Sequence, residues 1–274
     1  MEQLAIGFGL ALTIAGLAFL AHTLSFSGAV AAAVMGTIIF GFGGLPGAIL
    51  LLAFFISSSL LSRLSGRGKA SLDEKVARGS VRDAAQVLAN GGIAALAILI
   101  AALTGQGKVF TGSFWYWVFA ASLAAANADT WATELGVLSR GQPVLITTGR
   151  PAERGTSGGI SLPGTLAALG GAAFIGLLAA ALAVQDGSTS LLGYFLGVSL
   201  AGLLGSLFDS FLGATIQAVY MCPTCHQETE RHPFHTCGTT TTLKRGWRWL
   251  NNDWVNVACT LFGAIVIVAM VLIP

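Results

Sequence analysis

The chain has 274 residues, of which 54% are hydrophobic and 9% charged, and its formal net charge is +2. Soluble domains carry about 25% charged residues, so this composition excludes a water-soluble globular protein and marks an integral membrane protein. The near-balance of charge gives no support for nucleic-acid binding.

Crossing about 30 Å of hydrocarbon takes roughly 20 apolar residues. Eight runs come near that length: 4–24, 26–44, 46–62, 84–103, 113–139, 159–184, 190–220 and 253–273. The expected fold is an all-α polytopic membrane protein of about eight transmembrane helices. It forms a single membrane domain over 1–274, with the long run at 190–220 tilted or broken. The first run lacks a basic start and a small-residue cleavage site, so it is expected to stay as a membrane helix.

Lysine and arginine in short loops stay on the cytoplasmic side. With the 63–83 loop inside, so are Arg63, Arg67, Lys69, Lys75, Arg78, Arg82, Arg140, Arg150, Arg154, Arg231, Lys244, Arg245 and Arg248. Lys108 alone falls outside. Both termini are then extracytoplasmic, in what is expected to be the cytoplasmic membrane of a bacterium. The longer, polar loops gather on the inner face, so a reaction is expected there.

Two internal echoes suggest a pair of parallel four-helix halves related by an axis along the membrane normal. SFSGAVAAAVMG (25–36) resembles SLPGTLAALGG (161–171), and RDAAQ (82–86) resembles NDWVN (252–256). Gly/Ala-rich helices also look alike without any repeat.

The motifs follow in chain order. RDAAQVLANGG (82–92) spaces Arg82, Gln86 and Asn90 at i, i+4, i+8, along one helix face. NADTWATELG (127–136) sets Asn127, Thr130 and Glu134 on one stripe and Asp129 on the next, within an otherwise apolar run. An ionisable side chain at mid-bilayer costs about 2.5–3.5 kcal/mol on insertion scales, so two carboxylates on one helix require compensation. Pairing with basic residues of a neighbouring helix would supply it; so would a cation or catalytic site.

GRPAERGTSGGISLPG (149–164) surrounds Thr156 and Ser157 with Gly155, Gly158 and Gly159 just before a helix. Such a turn can aim successive backbone N–H groups at an anion, with Arg150 and Arg154 as flanking phosphate partners. No Lys-Ser/Thr pair follows the glycines, so it is not a Walker A loop; a flexible connector would read the same way. GSLFDSFLGATIQ (205–217) places Ser206, Asp209, Gly213 and Gln217 on one face, with Ser210 beside Asp209. CPTCHQETERHPFHTCG (222–238) offers Cys222, Cys225, His235 and Cys237 as a tetrahedral zinc set, with His226 and His232 as rival ligands. This Cys/His-containing insert spans 221–250, and on the cytoplasmic side a stable disulfide is not expected. WLNNDWVNVA opens the last run with Asn252, Asp253 and Asn256; Asn252 also suits a plain helix N-cap.

Asp129, Glu134, Asp209 and Asp253 come from three helices and can meet in one inward-opening cavity. There their charges would repel strongly. A divalent cation removes the repulsion, and oxygen-only ligands suit Mg²⁺ beside phosphates. Protonated carboxylates of a proton-coupled transporter are the competing solution.

In order and spacing, NADTWATELG, GTSGGIS, GSLFDSFLGATIQ and WLNNDWVN resemble motifs of the integral-membrane phytyl-phosphate kinase family. The plant member of that family works in the tocopherol pathway. RDAAQVLANGG and the Cys-rich insert followed by KRGWRWLNND also fit. The resemblance implies a prenyl-phosphate kinase, moving a phosphoryl group from a nucleoside triphosphate (CTP or ATP) to an isoprenoid monophosphate. It also implies that Asp129, Glu134, Asp209, Asp253 and the 155–159 loop are site residues. Physical reasoning adds roles: Asp129 and Asp209 hold Mg²⁺, assisted by Glu134 or Asp253, while Arg150, Arg154 and the glycine loop cradle phosphates. Asn127, Asn252, Asn256, Gln86 and Asn90 orient the headgroup or ribose. The insert holds structural zinc, and the isoprenoid tail lies between helices or in the bilayer. A CTP-dependent cytidylyltransferase acting on a lipid phosphate and a lipid-phosphate transporter are the rival functions.

Overall fold

The computed structural model describes residues 2–69, 81–105, 111, 113–138, 141–183 and 191–273. Lys75, Arg78, Lys108 and Arg140 of the loop charges lie outside the described residues. The helices are α1 (Glu2–Leu20), α2 (Phe26–Lys69), α3 (Ala84–Leu103), α4 (Phe114–Gly136), α5 (Leu162–Ala183), α6 (Leu191–Thr215) and α7 (Asn252–Leu272). A short hairpin, β1 (Val144–Leu145) with β2 (Gly159–Ile160), joins α4 to α5. Between α6 and α7 lies an antiparallel sheet in the order β4-β3-β5, made of β3 (Val219–Cys222), β4 (Gln227–Thr229) and β5 (Thr242–Arg245).

Six of the seven helices among the described residues are long and apolar enough to cross a membrane. The eight separate spans expected from hydropathy are corrected accordingly, for two physical reasons. The runs 26–44 and 46–62 are the two arms of the single element α2. Its backbone breaks at Gly44, whose φ of 59° and ψ of −154° suit glycine almost alone. Pro46 then opens the second arm, where its missing N–H is no loss. The arms fold onto each other: a β-carbon at Gly47 would stand 3.1 Å from the Ile39 carbonyl oxygen. Second, Asn127, Asp129 and Glu134 lower the hydropathy of α4, which is the helix left out of the six.

That helix is the centre of the bundle. It packs against α2, α3, α5, α6 and α7, and the stretch from Phe119 to Ala126 is buried almost completely. Small residues make the close approach possible. A β-carbon at Gly202 would lie 2.8 Å from that of Ala124, and one at Gly205 would lie 2.6 Å from that of Ala125. Carboxylates on such a helix face protein and not lipid, which is where membrane proteins keep ionisable groups. α6 runs unbroken to Thr215, so Gln217 sits just past its end.

One end of the bundle collects the polar structure. The C-terminal ends of α1, α4 and α6 and the N-terminal ends of α3, α5 and α7 meet there. Ser25 N donates to Arg82 O (2.9 Å) and Arg82 N to Thr23 O (3.0 Å), tying the α1–α2 turn to the start of α3. Arg63 Nη2, on the second arm of α2, donates to Ala21 O at 2.6 Å.

Candidate functional site

Asp129 on α4 and Asp209 on α6 face one another closely enough for their charges to interact, and Glu230, one residue beyond β4, acts on both. Asp209 Oδ2 is buried and has no hydrogen-bond partner among the described residues. Glu230 is anchored from two sides: its Oε1 accepts from Ser157 Oγ at 2.7 Å and from Gln217 Nε2 at 2.8 Å. Cys259 on α7 senses the charges of both aspartates, and Asn256, one turn nearer the site end, lies on the same face of that helix.

The glycine loop is fixed against this nest. Gly158 has φ 83° and packs on α6 so tightly that a β-carbon there would overlap the Ala214 backbone nitrogen. Across the same contact, a β-carbon at Gly213 would lie 2.8 Å from Gly158 N. Arg245 of β5 clamps the two together, donating from Nη1 to Gly213 O (2.8 Å) and from Nη2 to Ser157 O (3.2 Å). Burial pushes the Arg245 guanidinium pKa down, while Glu228 and Glu230 push it up. Two loop amides are already engaged, Thr156 N with Glu153 O and Gly159 N with Thr156 O. The side chains of Arg150 and Arg154 are exposed.

Glu134 turns to the other side of α4. It is 8% exposed and accepts hydrogen bonds from Ser62 (2.8 Å) and Ser65 of α2, with the Arg82 charge nearby. Asn127 is fully buried and engaged at both ends of its amide. Ser57 donates to its Oδ1 at 3.0 Å, and its Nδ2 donates to Gly171 O of α5 at 2.8 Å. Thr130 bonds its own helix at Ala126 O. Gln86 completes a capping box with Asp83 at the start of α3, and Asn90 Nδ2 donates to Gln86 O. Arg82, Gln86 and Asn90 all line a cleft between α1, α2 and α3. The N-cap of α7 is Asn251, whose side chain accepts from Trp254 N, and not Asn252; Asn252 and Asp253 form the first turn, and Ser210 is partly buried beside Asp209.

Asp129, Asp209 and the 155–159 loop thus share one nest, while Glu134, Asn127 and Arg82 belong to the α2 side of α4. Sequence reasoning missed Glu230, Gln217 as its partner, and Arg245. A charge in a polar loop costs nothing, so no sequence signal separates it from any other loop charge.

Cys222, Cys225, His235 and Cys237 offer ligand atoms that all lie within 4.8 Å of one another, a set able to hold a metal such as zinc. Cys222 Sγ and Cys237 Sγ are 3.6 Å apart, and His235 Nδ1 is 3.3 Å from Cys237 Sγ. A tetrahedron with Zn–S bonds of about 2.3 Å has S–S edges of about 3.8 Å, so the fit is close. Contacts with Thr239 and His235 pull the Cys237 thiol down to about 6. Cys225, hydrogen-bonded to Cys237, desolvated and beside Cys222, is pushed up to about 12. The rival histidines are used elsewhere: His232 stacks on Tyr220 (4.4 Å) and contacts Thr241, and His226 is exposed in the turn after Cys225.

Comparison with known proteins gives the chain its kin. It is 39% identical over 216 residues to Protein PGR of Arabidopsis thaliana, covering 73% of this chain and 74% of the relative. An uncharacterized membrane protein of Methanocaldococcus jannaschii is 34% identical over 241 residues, covering 87% of this chain and 82% of the relative. The chloroplastic Protein VTE6 of Arabidopsis thaliana is 26% identical over 275 residues, covering 97% of this chain and 71% of the relative. No solved structure matches. The family model described as "Integral membrane protein DUF92" matches residues 9–264, nearly the full length, and the chain belongs to that family.

Proposed function

We propose that this protein is a membrane lipid kinase that transfers a phosphoryl group from CTP or ATP to an isoprenoid monophosphate of phytyl or geranylgeranyl type, giving the diphosphate. The observation that carries this reading is the convergence of Asp129, Asp209 and Glu230 beside a glycine turn clamped by Arg245. The motif resemblance to phytyl-phosphate kinases supports the choice of substrates.

The chemistry asks little proton transfer of the protein. A phosphate monoester has a second pKa of about 6, so at pH 7 its oxygen already carries the electron pair that attacks the γ-phosphorus. The new O–P bond forms as the β–γ bridging P–O bond breaks, and the nucleoside diphosphate leaves. Catalysis then rests on positioning and charge neutralisation. The unpartnered Asp209 Oδ2 and the facing Asp129 suit Mg²⁺, which would neutralise the polyphosphate and the carboxylates together. Glu230, held by Ser157 and Gln217, ties the position of the glycine turn to that of the carboxylates. The exposed Arg150 and Arg154 lie on the same loop and can meet the incoming phosphates. The site end faces the cytoplasm, where the nucleotide is.

The test is purified protein with Mg²⁺, CTP or ATP, and a panel of prenyl monophosphates, with products read by mass spectrometry. Nucleoside diphosphate and prenyl diphosphate together are the expected result. Pyrophosphate release identifies a cytidylyltransferase, and lipid-phosphate movement without nucleotide turnover identifies a transporter; either outcome overturns the kinase.

A further inference from the structure

Between α1, the two arms of α2 and the start of α3 lies a narrow apolar cleft walled by residues such as Ala15, Ala18, Met35, Phe40, Leu51 and Phe54. Its enclosed volume is about 60 Å³, well below the about 300 Å³ at which pockets for a whole small ligand begin, so a chain lying in it is only partly enclosed. Its polar end is Arg82. The Arg82 guanidinium is desolvated and stands 5.9 Å over the Phe54 ring. Among the described residues no hydrogen-bond acceptor meets its five N–H donors. Arg82 is partly buried, its free N–H donors are open to an anionic ligand, and Glu134 answers its charge only at a distance.

Arg82 also lines a second, polar pocket with His22, Thr23, Ser59, Ser62 and Arg63. One guanidinium therefore stands where an apolar cleft meets a polar chamber carrying a second arginine. That is the chemistry of a single-chain amphiphile with an anionic head. The chamber and the carboxylate nest flank the same stretch of α4: Glu134, bonded to Ser62, is five residues from Asp129, about 7.5 Å along the helix axis.

We propose that this cleft is the lipid site, holding the chain of a prenyl monophosphate among α1, α2 and α3 with its phosphate at Arg82 and Arg63. The inference deepens the kinase reading and rests on it for the prenyl nature of the chain. It also divides the labour across α4, with the nucleotide on the α5–α6 side and the acceptor lipid on the α2 side.

The experiment uses the full chain in phosphatidylcholine nanodiscs with geranylgeranyl monophosphate carrying a photoreactive diazirine in its tail. Cross-linked peptides from α1, α2 and α3 are expected; labelling confined to α5–α7 overturns the proposal. Equilibrium binding of the labelled lipid separates head from tail. Ala32→Phe, which fills the cleft, is expected to weaken the monophosphate and the corresponding alcohol at least tenfold. Arg82→Gln is expected to weaken the monophosphate by a similar factor and leave the alcohol unchanged. Inorganic phosphate competing as well as the lipid would mark a free-phosphate site, and unchanged lipid binding in both variants would mean the lipid sits elsewhere; each overturns the proposal. The cross-linking needs no variant, so a folding defect in either one leaves the test intact. Cleft labelling without turnover by CTP or ATP supports the lipid site while failing the kinase reading.

Discussion

Asp209 is where the fold places a buried carboxylate oxygen without a donor among the described residues, next to two further acids. An unpartnered buried charge destabilises a protein unless something neutralises it, so under the proposed function catalysis and stability pull in opposite directions here. Asp129→Asn and Asp209→Asn should each lower turnover by about 100-fold or more, the usual scale for losing one preorganised charge-stabilising group. In a chelator, the same variants should raise the thermal midpoint above that of the parent chain, because they relieve repulsion. Full Mg²⁺-dependent turnover in either variant would remove these residues from the cation site. The two aspartates were legible in the sequence because a charge inside an apolar run needs a reason. Glu230 and Arg245 were not, since the insert that carries them holds several other charged residues and only the fold brings these two to α6. Gly158 makes a second prediction. With φ 83° and the Ala214 backbone against it, Gly158→Ala should cost on the order of 3 kcal/mol, a large single-site effect. Gly149→Ala is the control: its φ is 65° but no atom lies within 4 Å, so only the backbone penalty of about 1 kcal/mol remains. Thermal midpoints in detergent compare the two directly.

At the scale of elements, hydropathy located the apolar runs but not how they join. GFGGLPG looked like a connection between independent helices, whereas Gly44 lets one element fold its two arms together. The echo of RDAAQ in NDWVN has a local explanation as well: both stretches open helices, α3 capped by Asp83 and α7 by Asn251. Helix N-termini resemble each other because they satisfy the same free N–H groups. The sheet β4-β3-β5 is a different kind of element, too small to hold itself together by burial. The Cys222, Cys225, His235, Cys237 set could staple it through a metal such as zinc, and Glu230 follows directly on β4. The chain should therefore purify with about one zinc, by elemental analysis, and Cys222→Ser should abolish it. Metal uptake displaces the Cys225 proton, so affinity should rise with pH, and it should fall further below about 6, where Cys237 also takes a proton. Stripping the metal should free Glu230 from Ser157 and lower turnover without unfolding the helices, seen as lost activity at unchanged far-UV circular dichroism. Activity that survives complete zinc removal would show that the insert does not position the site.

The whole molecule is polar at one end. Every described lysine or arginine side chain, from Arg63 and Arg82 to Arg150, Arg154, Arg231, Lys244, Arg245 and Arg248, belongs to the end that carries the carboxylate nest, the metal-ligand set and the Arg82 chamber. The lateral surface is apolar, with exposed leucines and phenylalanines along α1, α2 and α5. The positive-inside bias predicts that end in the cytoplasm, an orientation the proposed kinase function requires so that a nucleotide reaches Asp129 and Asp209. Arg154 and Arg248 are exposed there, on two different loops, and give trypsin two reporters of orientation. In inside-out membrane vesicles both should be cut, leaving fragments that end at these residues by mass spectrometry. In intact spheroplasts both should be protected, and detergent should make them cleavable in either preparation. Cleavage at Arg154 or Arg248 from outside the spheroplast would invert the topology. It would also place the carboxylate nest away from the cytoplasmic nucleotide, and the kinase reading would fail with it.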